Sequence, residues 1–111
     1  MDLNIVRLSD TPAKEVGGHK GFVHRPLVNL PEKDVTIRMI NVVPGGKGPV
    51  PAHRHSDVHF FYVMEGLLEL EVDGTVHSIQ KGCCVEVPPD TVHQLRSAGD
   101  SEMTVLAIKW K

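Results

Sequence analysis

Short runs of β-branched and aromatic residues, each closed by turn-forming residues, recur along this 111-residue chain. The clearest pair is LLELEV at 67–72 and TVHSIQ at 75–80, which Asp73 and Gly74 connect. An Asp-Gly connection of two residues favours a tight β-hairpin, because both residues tolerate a positive φ angle. No stretch shows the sustained 3.6-residue periodicity of an amphipathic helix. The pattern therefore predicts an all-β chain.

The other runs set the expected number of strands. Pro44 ends the predicted strand at 35–43. Pro26 restricts a weaker candidate at 21–28 to a sheet edge, because proline cannot donate a hydrogen bond to a strand ladder. The further predicted strands are VTIRMINVV (35–43), HFFYVM (59–64), CCVEV (83–87), TVHQLR (91–96) and EMTVLAIKW (102–110). Roughly seven or eight short strands at regular spacing favour an all-β barrel or a double-sheet jelly roll.

Length and charge narrow the classes of partner. A chain of 111 residues has the usual size of one domain, so we expect one domain over 1–111. The net charge of −2, with both signs interspersed, does not favour nucleic acid, and no apolar run is long enough to cross a membrane. The N-terminus lacks a basic region followed by an apolar run, so we expect a cytoplasmic protein.

The two cysteines, Cys83 and Cys84, are neighbours in sequence. Their Cα atoms lie closer together than ordinary disulfide geometry allows. Free cysteine behaves mainly as a small hydrophobic residue, so we expect both to be reduced and buried in a strand.

The segment PAHRHSDVHFFYVMEG contains three closely spaced histidines, His53, His55 and His59. On one strand His53 and His55 would share a face about 7 Å apart, from which imidazoles can converge on one metal ion. On a straight strand His59 would lie about 20 Å from His53, which is too far for one ion. The chain must therefore bend between His55 and His59, and Ser56 and Asp57 form the turn-prone pair that could do so.

A fourth histidine, His93, follows a second bend in VPPDTV. In a β-barrel the inward faces of neighbouring strands meet at a common centre, and an apolar FFYVM wall would shield a site there. The other three histidines occur singly, and we expect them to be solvated; they are His19, His24 and His77. The predicted metal ligands are His53, His55, His59 and His93.

The stretches 46–66 and 82–97 resemble the two motifs of the cupin superfamily. The first motif is matched by the pair His53-Arg54-His55 and by Gly66. The second motif is matched in register by three residues, which are Gly82, Pro88 and His93. This resemblance implies a cupin β-barrel, also called a double-stranded β-helix or jelly roll.

The chain departs from these motifs at four positions. His59 stands where glutamate is usual, Asp90 replaces a glycine, Lys47 stands at the leading glycine position and Ser97 replaces an asparagine. Asp90 is tolerable because aspartate accepts turn conformations. With His59, the chain is similar to small single-domain cupins that hold manganese or another divalent ion with four histidines. The resemblance implies one divalent metal ion per chain and a homodimer.

The function that these residues favour is that of a metal-dependent oxidoreductase of dioxygenase type, acting on a small organic substrate that chelates the metal. Four neutral imidazoles leave the metal charge uncompensated, which favours an anionic bidentate ligand. The alternatives are a non-catalytic module that binds a small molecule or sugar, and a non-redox isomerase or lyase. Whether the chain is an enzyme stays open, as does the choice among Mn, Fe, Ni, Cu and Zn.

Two residues are weak catalytic candidates, and one strand suggests self-association. Arg38, in the otherwise apolar TIRMI, could bind a substrate carboxylate, and Glu86 lies on a strand near the second motif. The predicted strand at 59–64 is apolar on both faces, so it needs a second layer of protein, either another sheet or a partner subunit. Together with the resemblance, this strand leads us to expect a homodimer.

Overall fold

The computed structural model describes residues 3–111, except for the side chain of His53. Apart from two short 3-10 turns, Leu8–Asp10 and Pro31–Lys33, all regular elements in this range are strands. They are β1 (Lys14–Glu15), β2 (Lys20–Leu30), β3 (Val35–His53), β4 (Val58–Glu65), β5 (Leu67–Val72), β6 (Thr75–Gln80), β7 (Cys84–Val87), β8 (His93–Ser97) and β9 (Met103–Trp110). No helix within the described range is long and apolar enough to span a membrane.

The strands form one antiparallel sheet that curves into a nearly closed barrel. Its hydrogen-bonded order is β6-β5-β8-β3-β9-β4-β7, with β2 beside β3 and β1 beside β2. Strand β3 joins the two halves of the barrel, which are β6-β5-β8 and β9-β4-β7. Its residues 36–42 pair with β9 and its residues 47–53 pair with β8. This arrangement confirms the predicted all-β jelly-roll barrel.

Strand β3 is longer than the sequence pattern predicts. We expected it to end at Pro44, but it continues to His53. The last pair with β9 is made by Val42 and the first pair with β8 by Lys47, so Pro44 lies where β3 changes partners. A proline is tolerated there because no ladder hydrogen bond to either of these strands is required of it.

The other turn predictions agree with the structure. Asp73 and Gly74 both have positive φ angles, 48° and 84°, and Val72 pairs with Thr75 across the hairpin. Pro26 lies at a register shift in β2, on the side that short β1 does not cover, as expected for an edge position.

The core lies between the two halves of the barrel. Its fully buried apolar side chains come from five strands and are Ile40, Val42, Phe61, Val63, Leu68, Leu70, Val87, Met103 and Val105. On β7, Val85 and Val87 turn toward this core, so Cys84 and Glu86 face outward. Cys83 and Cys84 are free and exposed, and the prediction that they are buried is therefore wrong.

Candidate metal centre

The connection between β3 and β4 bends as the histidine spacing requires. Residues Ser56 and Asp57 form the bend, which confirms that prediction. Strand β3 ends at His53, however, so His55 lies in the connection, and the expectation that His53 and His55 share a strand face is wrong. The backbone N–H of Asp90 donates to the carbonyl oxygen of His55 over 2.6 Å, which ties this connection to the β7–β8 turn.

Three of the four predicted ligands converge. The ligand atoms of His55, His59 and His93 all lie within 4.8 Å of one another. Atoms that bind one ion at about 2 Å stand at most about 4 Å apart, so small side-chain rotations would close this set on an ion. His59 and His93 are buried, whereas His55 is exposed and forms the solvent side of the cluster. We call these three residues the histidine triad.

Two observations show that the triad suits a metal ion. His93 Nδ1 lies 2.8 Å from the carbonyl oxygen of Thr91. A carbonyl oxygen only accepts, so Nδ1 carries the hydrogen and Nε2 keeps a lone pair for a metal. The Nε2 of His59 is buried without a hydrogen-bond partner among the described residues. Buried polar atoms are rarely left unpaired, and an ion held by the triad would satisfy this one.

The protonation state of His59 also fits a ligand. Burial, followed by the nearby His93 and His55, lowers the pKa of His59 to about 3. The imidazole is therefore neutral across the physiological range, and neutral imidazole is the form that binds metals.

This shift predicts that the metal-free protein loses stability in acid. Because the pKa of His59 is about 3 in the fold and 6.5 in the unfolded chain, only the unfolded chain gains the proton between these values. The contribution of His59 to the free energy of unfolding therefore has its full value above pH 6.5 and decreases as the pH falls toward 3. At pH 5 the loss from this group is about 2 kcal/mol relative to pH 8. Urea unfolding at both pH values measures it; the same pH dependence in a His59→Gln variant would contradict this cause.

The side chain of His53 lies outside the described residues, so its predicted role as a ligand stays a prediction. Its backbone is described, and His53 on β3 pairs in register with His93 on β8.

The triad lines a cavity of about 390 Å³. This volume is in the range of pockets that bind small organic molecules. Part of the wall is apolar and is formed by Phe22, Ile40, Phe61 and Leu95. The Phe61 ring centroid lies 5.8 Å from that of His59 and 6.5 Å from that of His93, so an apolar surface adjoins the triad.

Of the two weak catalytic candidates, only Arg38 faces the cavity. Its Nη1 lies 3.3 Å from Nδ1 of His24, and burial lowers the pKa of Arg38. Glu86 is exposed on the outer side of β7 and does not line this cavity, because Val85 and Val87 take the inward positions of that strand. The structure therefore does not bring Glu86 to the site.

Sequence reasoning missed three basic residues that line the cavity, which are His19, His24 and Lys109. His19 and His24 are partly buried, so the expectation that they are solvated holds only in part, whereas His77 is exposed as expected. The alternation of side chains along a strand could have indicated His24 and Lys109. His24 lies two residues from the buried Phe22, and Lys109 lies two residues from the buried Ala107, so each shares a strand face with a core residue. The register that turns these strand faces toward one cavity could not be read from the sequence.

Comparison with known proteins places this geometry in a family context. Residues 38–109 match the family described as the cupin domain. A 5-nitrosalicylic acid 1,2-dioxygenase from Bradyrhizobium sp. is 34% identical over 59 residues, which are 53% of this chain and 28% of that protein. The chain therefore spans less than a third of the length of this relative.

Two solved structures resemble the whole fold. The polyketide cyclase RemF from Streptomyces resistomycificus superposes with a TM-score of 0.85 at 23% identity, covering 98% of this chain and 80% of that one. A predicted oxalate decarboxylase from Thermotoga maritima also has a TM-score of 0.85, at 18% identity, covering 96% of this chain and 98% of that one. At such identities the likeness shows the fold alone.

Proposed function

Since this chain belongs to the cupin family, we propose that it is a metal-dependent oxidoreductase of dioxygenase type that acts on a small chelating organic substrate. The observation that carries the proposal is the convergence of three histidines on a cavity of about 390 Å³. The partial similarity to a 5-nitrosalicylic acid 1,2-dioxygenase supports the reaction type.

We propose that His53 completes a set of four histidine ligands with the triad. The His-x-His spacing and the backbone pairing of His53 with His93 support this assignment. Imidazole ligands suit Fe, Ni, Cu and Zn, and the resemblance to four-histidine cupins adds Mn. When bound, a redox-active ion would supply Lewis acidity toward a chelating substrate and the electron transfer that dioxygen chemistry requires.

The residues of the chain contribute orientation, exclusion of water and charge. The Thr91 carbonyl holds the His93 ring in the ligating tautomer. Phe61 limits the access of water beside the buried histidines, which strengthens electrostatic interactions there. Arg38 and Lys109 line the same cavity, and their positive charges favour an anionic substrate.

The test combines metal analysis with dioxygen uptake. The purified protein is loaded separately with Fe, Mn and Zn, and uptake is followed with salicylate and with small enolic diketones. We expect consumption with a redox-active ion, none with Zn, and loss of consumption in a His93→Ala variant. The matched control is His77→Ala, which removes an exposed histidine. Tight binding without turnover would instead indicate a binding module, and substrate conversion without dioxygen would indicate an isomerase or lyase.

We also propose that the protein forms a homodimer through the outer face of β4. Tyr62 and Met64 are 38% and 40% exposed there, on a sheet face that is usually polar when it meets water. Sedimentation velocity is expected to give the mass of two chains, and a Tyr62→Lys, Met64→Lys double variant the mass of one. The control is Val76→Lys, at an apolar residue exposed on β6. A monomeric wild-type protein would contradict the proposal.

A further inference from the structure

A second pair of polar side chains lines the cavity, formed by His24 on β2 and Arg38 on β3. Both side chains line the cavity, and Nη1 of Arg38 lies 3.3 Å from Nδ1 of His24. The two strands are paired so that Pro26 faces Arg38 and His24 faces Ile40, which puts the two residues diagonally across neighbouring strands. We call this pair the His24–Arg38 dyad.

The contact within the dyad defines which hydrogen-bonding groups it offers. A guanidinium group has five N–H donors and no acceptor, so Nδ1 of His24 must accept the hydrogen bond from Arg38. In neutral His24 the hydrogen is then on Nε2, which becomes a donor. Burial, followed by the charge of Arg38, lowers the pKa of His24, so the neutral form dominates. The dyad therefore offers only donors to a ligand.

The charge of Arg38 has no anionic partner within residues 3–111. The ion pairs formed there involve Arg7, Lys81, Arg96 and Lys109 as cations. None of the described side chains that line the cavity is acidic. A half-buried cation that lacks a counter-ion loses hydration without electrostatic compensation, and an anionic ligand would provide that compensation.

Strand pairing indicates how far the dyad lies from the triad. On one face of the sheet, His59 pairs with Lys109 and Phe61 pairs with Ala107, which in turn pairs with Arg38. Arg38 is thus two strands across and two residues along from His59. Strand spacings of about 4.8 Å and rises of about 3.3 Å place their Cα atoms about 12 Å apart. Both side chains line the same cavity, whose volume of about 390 Å³ accommodates one small ring.

We propose that the His24–Arg38 dyad is an anion subsite that binds a carboxylate of the substrate at the opposite end from its chelating group. Guanidinium groups bind carboxylates through parallel N–H donors, and Nε2–H of His24 supplies a further donor. The substrate class is a small planar molecule with two chelating oxygen atoms at one end and a carboxylate at the other. The carboxylate subsite stands independently of the proposed function, and only the chelating end rests on it.

Calorimetric titration of the metal-free protein tests the subsite alone. Benzoate and benzamide have the same size and differ in charge, so their ratio of dissociation constants measures carboxylate preference. We expect benzoate to bind at least about tenfold more tightly, and the preference to vanish in Arg38→Gln. The matched control is Arg25→Gln on the same sheet, since Arg25 donates to Asn41 Oδ1 and does not line the cavity.

Two variants of His24 test its share in the subsite. Glutamine can accept from Arg38 and still donate to a ligand, so His24→Gln should keep most of the preference. His24→Leu can do neither and should lose a large part of it, at a melting temperature close to that of the wild type. An unchanged preference in Arg38→Gln, or a loss only in Lys109→Gln, would overturn the subsite.

A second titration separates the subsite from the proposed function. Metal-loaded protein is titrated with 3,4-dihydroxybenzoate and 3,4-dihydroxybenzamide, whose catechol oxygens chelate metals. Tighter binding of the acid, lost in Arg38→Gln, supports the two-ended substrate. If the catechol hydroxyls add no affinity while benzoate still depends on Arg38, the chelating end and the proposed function fail and the subsite stands. If they add affinity and the acid has no advantage over the amide, the subsite fails.

Discussion

Replacing His59 with alanine is expected to weaken metal binding by about 100-fold or more, because it removes a ligand from the buried side of the triad. Loss of a residue that only orients a metal ligand lowers metal affinity by about 10- to 100-fold, so loss of a ligand should lower it at least as much. His59 is 6% exposed, and its Nε2 has no other partner among the described residues. Elemental analysis after dialysis against a metal buffer measures the change.

Graded variants make this result specific to the triad. His55→Ala should reduce affinity less than His59→Ala, because His55 is exposed and water can occupy its ligand position. His77→Ala, at an exposed residue of β6, should leave the metal content unchanged. Metal content that persists in a His55→Ala, His59→Ala double variant would show that the ion is held elsewhere.

The parts of the fold that local chemistry decides could be predicted from the sequence. The Asp73-Gly74 hairpin follows from two residues that tolerate positive φ, and both adopt it. Asp90 replaces the glycine of the second motif and has a φ angle of 58°, in agreement with the expected tolerance. These features depend on a few neighbouring residues, so the sequence contains the information that determines them.

The end of β3 could not be predicted, because it depends on distant strands. Pro44 normally closes a strand, but here β3 passes from β9 to β8 at this point and continues to His53. The parts of the site that depend on distant strands could not be predicted either. The bend at Ser56 and Asp57 follows from the distance between the histidines and from two turn-prone residues. The exposure of Glu86 and the contact of His24 with Arg38 depend instead on sheet register.

Gly66→Ala is expected to destabilise the protein by about 2–5 kcal/mol, through two separate effects. Gly66 connects β4 to β5 with a φ angle of +82°, which costs a residue with a Cβ about 1–2 kcal/mol. An added Cβ would also lie 2.8 Å from the Cα of Met103 and 3.0 Å from the carbonyl oxygen of Glu102. Both contacts are with backbone atoms of a neighbouring segment, so relief requires the start of β9 to move.

Gly82 is the control that separates these two effects. It has nearly the same φ angle, +84°, but an added Cβ there would meet no atom within 4 Å. Gly82→Ala should therefore cost only the conformational part, about 1–2 kcal/mol, and the difference between the two variants is the cost of the clash. Urea unfolding with a common slope measures both free energies. Equal losses in the two variants would show that β9 shifts without cost, and that the close approach at Gly66 does not constrain the barrel.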